Sequence, residues 1–155
     1  MYIDLFIMTQ PIYFLSSATQ YYELSNFYLA KFNLDGKTWL STESYFQAMK
    51  FPGDAAYQEK IRRESNQSQV KKLGSSRAVP MRPDWDSVRD DVMKCALYAK
   101  FTQNEDLKDL LLSTGDRPLI ENNKRDNYWA IGNGSGLNKL GLMLCDLRTE
   151  LRQNQ

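Results

Sequence analysis

Apolar and aromatic residues fall along this chain in short runs at first and in helical stripes later. Residues 12–15 and 27–34 are dense in aromatic and aliphatic side chains and read as short strands. Asp35-Gly36 follows the second run, so 30–34 and 37–40 are expected to pair as a hairpin across that turn. From there the spacing is mostly helical. Ser41 or Thr42 is placed to cap a helix running to about Lys50, which Pro52-Gly53 stops. Two short helices are expected over 54–64 and 67–73, the second ended by Gly74. A longer one is expected over 86–101, with Val88, Val92, Cys95, Ala96 and Ala99 at helical spacing. Another follows over 104–112, with Asn104 as cap and Gly115 as stop. The last helix is drawn by Leu137, Leu140, Leu144, Leu147 and Leu151, which step by 3, 4, 3 and 4. That stripe reads as core packing, with a dimer seam as the alternative. The pattern predicts an α+β fold, mostly helical, with a small antiparallel sheet or hairpin near the N-terminus.

Length and composition narrow this further. The chain has 155 residues, 42% of them hydrophobic, enough for one self-supporting domain over 1–155 with a core about 12–152. Lys and Arg number 20 against 19 Asp and Glu, so no global charge draws the protein to nucleic acid. The chain contains no histidine, which removes every Ser-His or Cys-His nucleophile system and every imidazole metal site. Acid–base chemistry falls to Asp, Glu, Lys, Tyr or Cys. Two cysteines, Cys95 and Cys145, are too few for an all-cysteine zinc site, and no metal or cofactor is expected. Both sit in apolar helical stretches and are expected as free, buried thiols, which suits a reducing cytoplasm. The N-terminal stretch is apolar in places. Yet Asp4 interrupts it and no basic segment precedes it, so it reads as neither leader nor membrane span.

Four places concentrate polar residues. On a helix, Glu43, Gln47 and Lys50 fall within about 60° of one another, with Tyr45, Phe46 and Met49 on the other side. This is either a solvated face or a carboxylate, an amide and an amine gathered beside an aromatic edge. Trp85, between Asp84 and Asp86, either pins a helix start to the core or offers a ring for stacking, and either Asp can cap the helix. The stretch 126–136 ends in Gly132-Asn133-Gly134-Ser135-Gly136 just before the last helix. It does not match the dinucleotide-binding pattern, and reads as a plain loop or an anion-binding one. Lys60, Arg62, Arg63, Lys71, Lys72 and Arg77 stand against Glu59 and Glu64, a solvated helical surface or a docking site for phosphates.

Taken in order, these motifs resemble the NADAR family, also called YbiA-like. The match runs from about Leu24 to Leu151. It is carried by Leu24-Ser25-Asn26-Phe27-Tyr28, by Leu34-Asp35-Gly36-Lys37-Thr38-Trp39, and by Thr42-Glu43-Ser44-Tyr45-Phe46-Gln47-Ala48-Met49-Lys50-Phe51. Lys72-Leu73-Gly74 with Arg77, Asp84-Trp85, Val88-Arg89 and Ala99-Lys100-Phe101-Thr102-Gln103-Asn104 follow. Thr114-Gly115-Asp116, Asp126, Trp129, Ile131, Gly132 and the run from Gly136 to Gly141 complete it. Two positions depart from the common pattern. Ser44 stands where many members have histidine, and Ala130 where many have glycine.

The resemblance implies an N-glycosidase acting on ribosylated bases, cytoplasmic and metal-independent. The implied substrates are guanine whose exocyclic amine carries ADP-ribose, in nucleic acid, or the phosphorylated ribosylamino-pyrimidines of riboflavin synthesis. A toxin that is an ADP-ribosyltransferase is an implied partner for the first. In both, ribose C1 is joined to an exocyclic amine. The bond can break through an oxocarbenium-like state, or by ring opening and a Schiff base on an enzyme amine. Glu43 serves as acid–base group in either route. Lys50 is the nucleophile in the second and binds phosphate or ribose hydroxyl in the first. Trp85 stacks on the base or covers the ribose. Asp126 holds ribose hydroxyls or shares the proton transfer. Asn26 orients the substrate, and Arg77, Gly132 and Asn133 meet phosphate. Phe27, Tyr45, Gln47 and Trp129 complete the implied binding set. A non-catalytic reader of ADP-ribose or NAD, and an interaction module built on the leucine stripe, are the competing classes.

Overall fold

The computed structural model describes Phe6 and residues 9–155. Residues 1–5, 7 and 8 of the N-terminal stretch, read as neither leader nor membrane span, lie outside the described residues. The elements confirm the mostly helical α+β expectation. The chain folds as two compact units, one from Met1–Ser25 with Glu105–Gln155, the other Asn26–Asn104. No helix among the described residues is long and apolar enough to cross a membrane.

The unit Asn26–Asn104 opens on the expected hairpin. Strands β2 (Phe32–Leu34) and β3 (Lys37–Trp39) pair antiparallel, Phe32 opposite Trp39. Asp35 and Gly36 both take positive φ, at 52° and 74°, the geometry a two-residue turn needs to follow the strand twist. Ala30 N–H donates to the Leu40 carbonyl at 3.0 Å, extending the pairing toward the predicted limits. Residues 27–31, expected as strand, are irregular.

Four helices follow: α1 (Thr42–Ala48), α2 (Ala55–Arg63), α3 (Gln67–Gly74) and α4 (Trp85–Gln103). Asp54 and Asn66 cap α2 and α3 by accepting from N–H groups of their first turns, which leaves fewer donors unsatisfied. Every residue of α1 is buried, and α1 packs against α2, α3 and α4. Phe32, Trp39, Tyr45, Ala48, Phe51, Ile61, Val70, Ala96 and Ala99 form the core around it. Asp84 occupies the cap position of α4 but makes no side-chain cap bond. Its carboxylate instead takes Arg82 at 2.6 and 2.8 Å, so neither aspartate caps as expected.

Cys95 is exposed, not buried as the pattern suggested. Met93, Ala96, Leu97 and Phe101 define the buried side of α4. At ~100° per residue, Cys95 stands about 200° round from Met93 and faces water. Cys145 is half-buried, and both thiols are free. Lys100, by contrast, is fully buried, with Nζ 5.0 Å from the Phe101 ring and 5.7 Å from the Tyr28 ring.

The other unit holds β1 (Ile12–Phe14), a 3₁₀ turn (Tyr22–Leu24), α5 (Glu105–Ser113), β4 (Leu119–Glu121) and α6 (Lys139–Gln153). Strand β4 was not expected, and it pairs parallel with β1. The Asn138 side chain completes it, donating to the Leu119 carbonyl at 2.9 Å and accepting from Glu121 N–H at 3.0 Å. Asn138 takes φ 50° and starts α6, so Leu137 falls outside the helix and is exposed at 56%. The other four leucines of the stripe are buried, as core packing requires.

Candidate functional site

The site residues of the unit Asn26–Asn104 gather on α1. A helix this short, buried throughout, needs its first N–H groups satisfied. Ser41 caps it by accepting from Ser44 N–H at 3.0 Å, and its own hydroxyl donates to Gln67 Oε1. Asn26 secures the same end. Its carbonyl accepts from Glu43 N–H at 3.2 Å, and its Oδ1 accepts from the Thr42 hydroxyl at 2.9 Å. Asn26 is therefore engaged in holding Glu43's backbone. Phe27 follows it, half-buried. Ser44 is fully buried, with Oγ 3.0 Å from Ser41 Oγ.

Glu43, Gln47 and Lys50 do share one side. Gln47 Nε2 donates to Glu43 Oε1 at 2.7 Å, both side chains nearly buried. The helix itself ends at Ala48, so Lys50 lies on the turn that closes it, its N–H donating to the Gln47 carbonyl at 3.3 Å. Lys50 Nζ donates to the Gly74 carbonyl at 3.2 Å and lies 5.7 Å from the ring centres of both Phe46 and Trp85. Burial pushes the ammonium's pKa below its ordinary 10.5; Glu43 opposes the shift, and Lys71 and Arg89 add to it. An amine so placed carries a larger neutral fraction than a solvated lysine.

Trp85 is 5% exposed, its ring edge-on to Phe46 at 4.9 Å. It pins the start of α4 to α1 and forms one wall beside Lys50. Arg77 is exposed, and with Lys50, Gly74, Ser75, Ser76, Val79, Pro80 and Met81 it lines a cleft of about 400 Å³. Tyr45 is turned the other way. Its ring meets Trp39 edge-on at 5.2 Å and its hydroxyl donates to Asp35 Oδ2 at 2.6 Å, tying α1 to the hairpin. Burial and that carboxylate raise the phenol well above its usual range.

The remaining predicted residues lie in one loop of the other unit. Asp126 Oδ1 accepts from the N–H groups of Tyr128 and Trp129 at 2.9 and 2.8 Å, fixing the loop's first turn. Gly132 is buried at φ 59°, and a Cβ there would fall 1.9 Å from Asn127 Oδ1. Asn133 is exposed. The N–H groups of Gly134 and Gly136 both donate to the Ile131 carbonyl, and those of Leu137 through Leu140 to carbonyls of 127–130. Trp129 is half-buried, edge-on to Tyr128 at 5.0 Å.

Sequence reasoning missed the contribution of Gly74, whose carbonyl holds Lys50, and of Ser75 and Ser76 beside it. The Lys72-Leu73-Gly74 run marked the place but not the contact. Among the described residues, no group of three or more Cys, Asp or Glu is placed to hold a metal ion.

The sequence profile of the NADAR domain matches residues 13–152. The N-glycosidase YbiA of Shigella boydii serotype 4 is 44% identical over 141 residues, covering 90% of this chain and 88% of that protein. A riboflavin biosynthesis protein of Vibrio vulnificus is 38% identical over 149 residues, 96% of this chain and 40% of that longer protein. The NMR structure of Escherichia coli YbiA matches with a TM-score of 0.85 at 42% identity, covering 94% of this chain and 86% of that one. A profile match over nearly the whole chain, joined to that structural likeness, places the protein in the NADAR family as a homologue of its YbiA N-glycosidases.

Proposed function

We propose that the protein hydrolyses the bond between ribose C1 and an exocyclic base amine, and that it removes ADP-ribose from guanine in nucleic acid. The observation that carries this reading is a buried carboxylate and a partly desolvated amine on one side of α1, Glu43 and Lys50, with the amine opening on a cleft that Arg77 also lines.

The chemistry follows from the carbon being attacked. C1 bears both the ring oxygen and the amine nitrogen. In the ring-opening route, the Glu43 carboxylate takes up a proton from solvent and passes it to the ring oxygen as the C1–O bond breaks, and the exocyclic nitrogen's lone pair forms C1=N; the proton is returned when the Schiff base is hydrolysed. Lys50, as neutral amine, adds to C1. The proton it sheds passes by way of Glu43 to the departing nitrogen, and the base leaves as its free amine. Water then hydrolyses the Lys50 Schiff base, restoring the amine. In the direct route, the C–N bond breaks through an oxocarbenium-like state and Glu43 activates water, while cationic Lys50 holds a phosphate or ribose hydroxyl. The lowered Lys50 pKa supports the first, because it raises the share of nucleophile at neutral pH.

The exposed cations Lys71, Lys72 and Arg77 support a nucleic-acid substrate by offering charge to its phosphates. Trp85 is proposed to cover the sugar or base beside Lys50. Asp126, Trp129, Gly132 and Asn133 keep the binding roles that the resemblance gives them. An ADP-ribosyltransferase that writes the mark is the implied partner. A second reading has its own support: a relative is a riboflavin biosynthesis protein, which favours a phosphorylated ribosylamino-pyrimidine as substrate.

Parallel incubation with an oligonucleotide bearing ADP-ribosylated guanine and with the pyrimidine phosphate separates these. Faster release of ADP-ribose is expected. Faster release of ribose phosphate from the pyrimidine selects the second reading. Binding of ADP-ribose without release from either refutes hydrolysis.

A further inference from the structure

Glu43 and Gln47 lie one turn apart on α1, at 6% and 4% exposure. Gln47 Nε2 donates to Glu43 Oε1 at 2.7 Å. Gln47 Oε1 is buried and has no hydrogen-bond partner among the described residues. A buried amide with one end unsatisfied is costly, so something else must fix its orientation.

Gly74 supplies the reason. A Cβ built there would fall 1.8 Å from Gln47 Oε1, 2.4 Å from its Cδ and 2.8 Å from its Cβ. The Gln47 side chain occupies the space that a Cβ at Gly74 would fill. Because the last contact is to Gln47's own Cβ, swinging the amide away does not relieve it. Gly74 closes α3 and is not among the residues at positive φ. Its missing side chain is thus a requirement of Gln47 rather than of the backbone.

The orientation also favours one protonation state. A carboxylate accepts the N–H aimed at Glu43 more strongly than the carbonyl oxygen of a neutral carboxyl does. A reversed amide would set its oxygen against that carboxylate. The amide serves Glu43 while its own oxygen goes without a partner.

We propose that Gln47 and Gly74 are positioning residues: Gly74 leaves room for the amide, and the amide holds Glu43 as an oriented carboxylate. This rests on the reading of Glu43 as the acid–base group. A hydrogen bond to the charged form lowers a carboxyl's midpoint, so its loss raises it. Glu43 is coupled electrostatically to Lys50, on which Lys71 from α3 and Arg89 from α4 also act. The variants below leave all three in place.

Gln47→Met keeps the length of the side chain and removes the donor. Gly74→Ala keeps Gln47 and displaces it. NMR titration of ¹³C-labelled glutamate carboxyls, with Glu43→Gln assigning the signal, should show the Glu43 midpoint rising by about 1–2 pH units in Gln47→Met. Gly74→Ala should move it the same way. The limb of the kcat–pH profile that Glu43 governs should move with it, while KM changes less. An unchanged Glu43 midpoint in folded Gln47→Met overturns the proposal, and that variant decides alone where Gly74→Ala fails to fold. A raised midpoint with unchanged turnover leaves the positioning intact and instead removes Glu43 from the chemistry.

Discussion

Glu43→Gln separates the catalytic reading from a purely structural one, because the two effects differ in size. The substitution is close to isosteric in a position 6% exposed. Its structural consequences include the 2.7 Å bond from Gln47 Nε2, which would then end on a neutral oxygen, and the loss of the charge that acts on Lys50. Hydrogen bonds to a charged acceptor are roughly twice as strong as neutral ones, so the loss is about 1 kcal/mol. Removing a buried charge offsets part of this. For a chain of this length, a change of that order moves Tm by about 2–4 °C. Loss of a general acid–base group lowers kcat by roughly 10²-fold or more, about 2.7 kcal/mol of barrier. Steady-state hydrolysis of ADP-ribosylated guanosine oligonucleotide, beside a thermal melt of the same preparation, reads both numbers. A melt within a few degrees of the parent with kcat down 10²-fold is expected. A folded variant whose kcat stays within a few-fold of the parent refutes the role.

Three further outcomes follow from particular contacts. Borohydride added during turnover should fix a sugar adduct on Lys50, detected by peptide mass, and full turnover by Lys50→Ala would sink the Schiff-base route. Glu59 is held at about 2, below its ordinary 4.5, by hydrogen bonds from Arg62 and Arg63. A depressed folded value stabilises above the ordinary pKa and loses that contribution as pH falls through the folded one. Glu59→Gln should therefore melt below the parent at pH 7, with the gap closing toward pH 2; a gap that does not change with pH refutes the ion-pair account. Asn138→Gly keeps the backbone freedom needed at φ 50° but removes both side-chain bonds to β4. Urea unfolding should show a loss of about 2–4 kcal/mol, and a loss below 1 kcal/mol would show that β4 holds without it.

The helices were legible because their signals are local. The short helices expected over 54–64 and 67–73, the second with its stop at Gly74, are found as α2 and α3 inside or beside those limits, each with its cap one residue ahead at Asp54 and Asn66. The hairpin was legible for the same reason, since Asp35-Gly36 carries both positive φ angles itself. Strand β4 was not. It has three residues, its strand partner β1 comes from the far end of its unit's sequence, and part of its backbone is satisfied by a side chain. No period or turn announces such an element. The apolar steps ran one residue too far at Leu137 because they do not register that the next residue, Asn138, takes a left-handed conformation.

The site divides along the same line. The grouping of Glu43, Gln47 and Lys50 needed only the helical angle, and it survives although Lys50 lies past the end of α1. What the angle could not supply is the surface those side chains rest on. Glycine at the end of a helix is ordinarily read as a stop signal, and at Gly74 that reading is correct but incomplete. The same residue gives its carbonyl to Lys50 and its bare Cα to Gln47, so one position on α3 bears on both groups assigned to the chemistry. A glycine whose φ does not require glycine is a place where the missing side chain itself is the function. That distinction is made by the space around Cα, which only the packed structure contains.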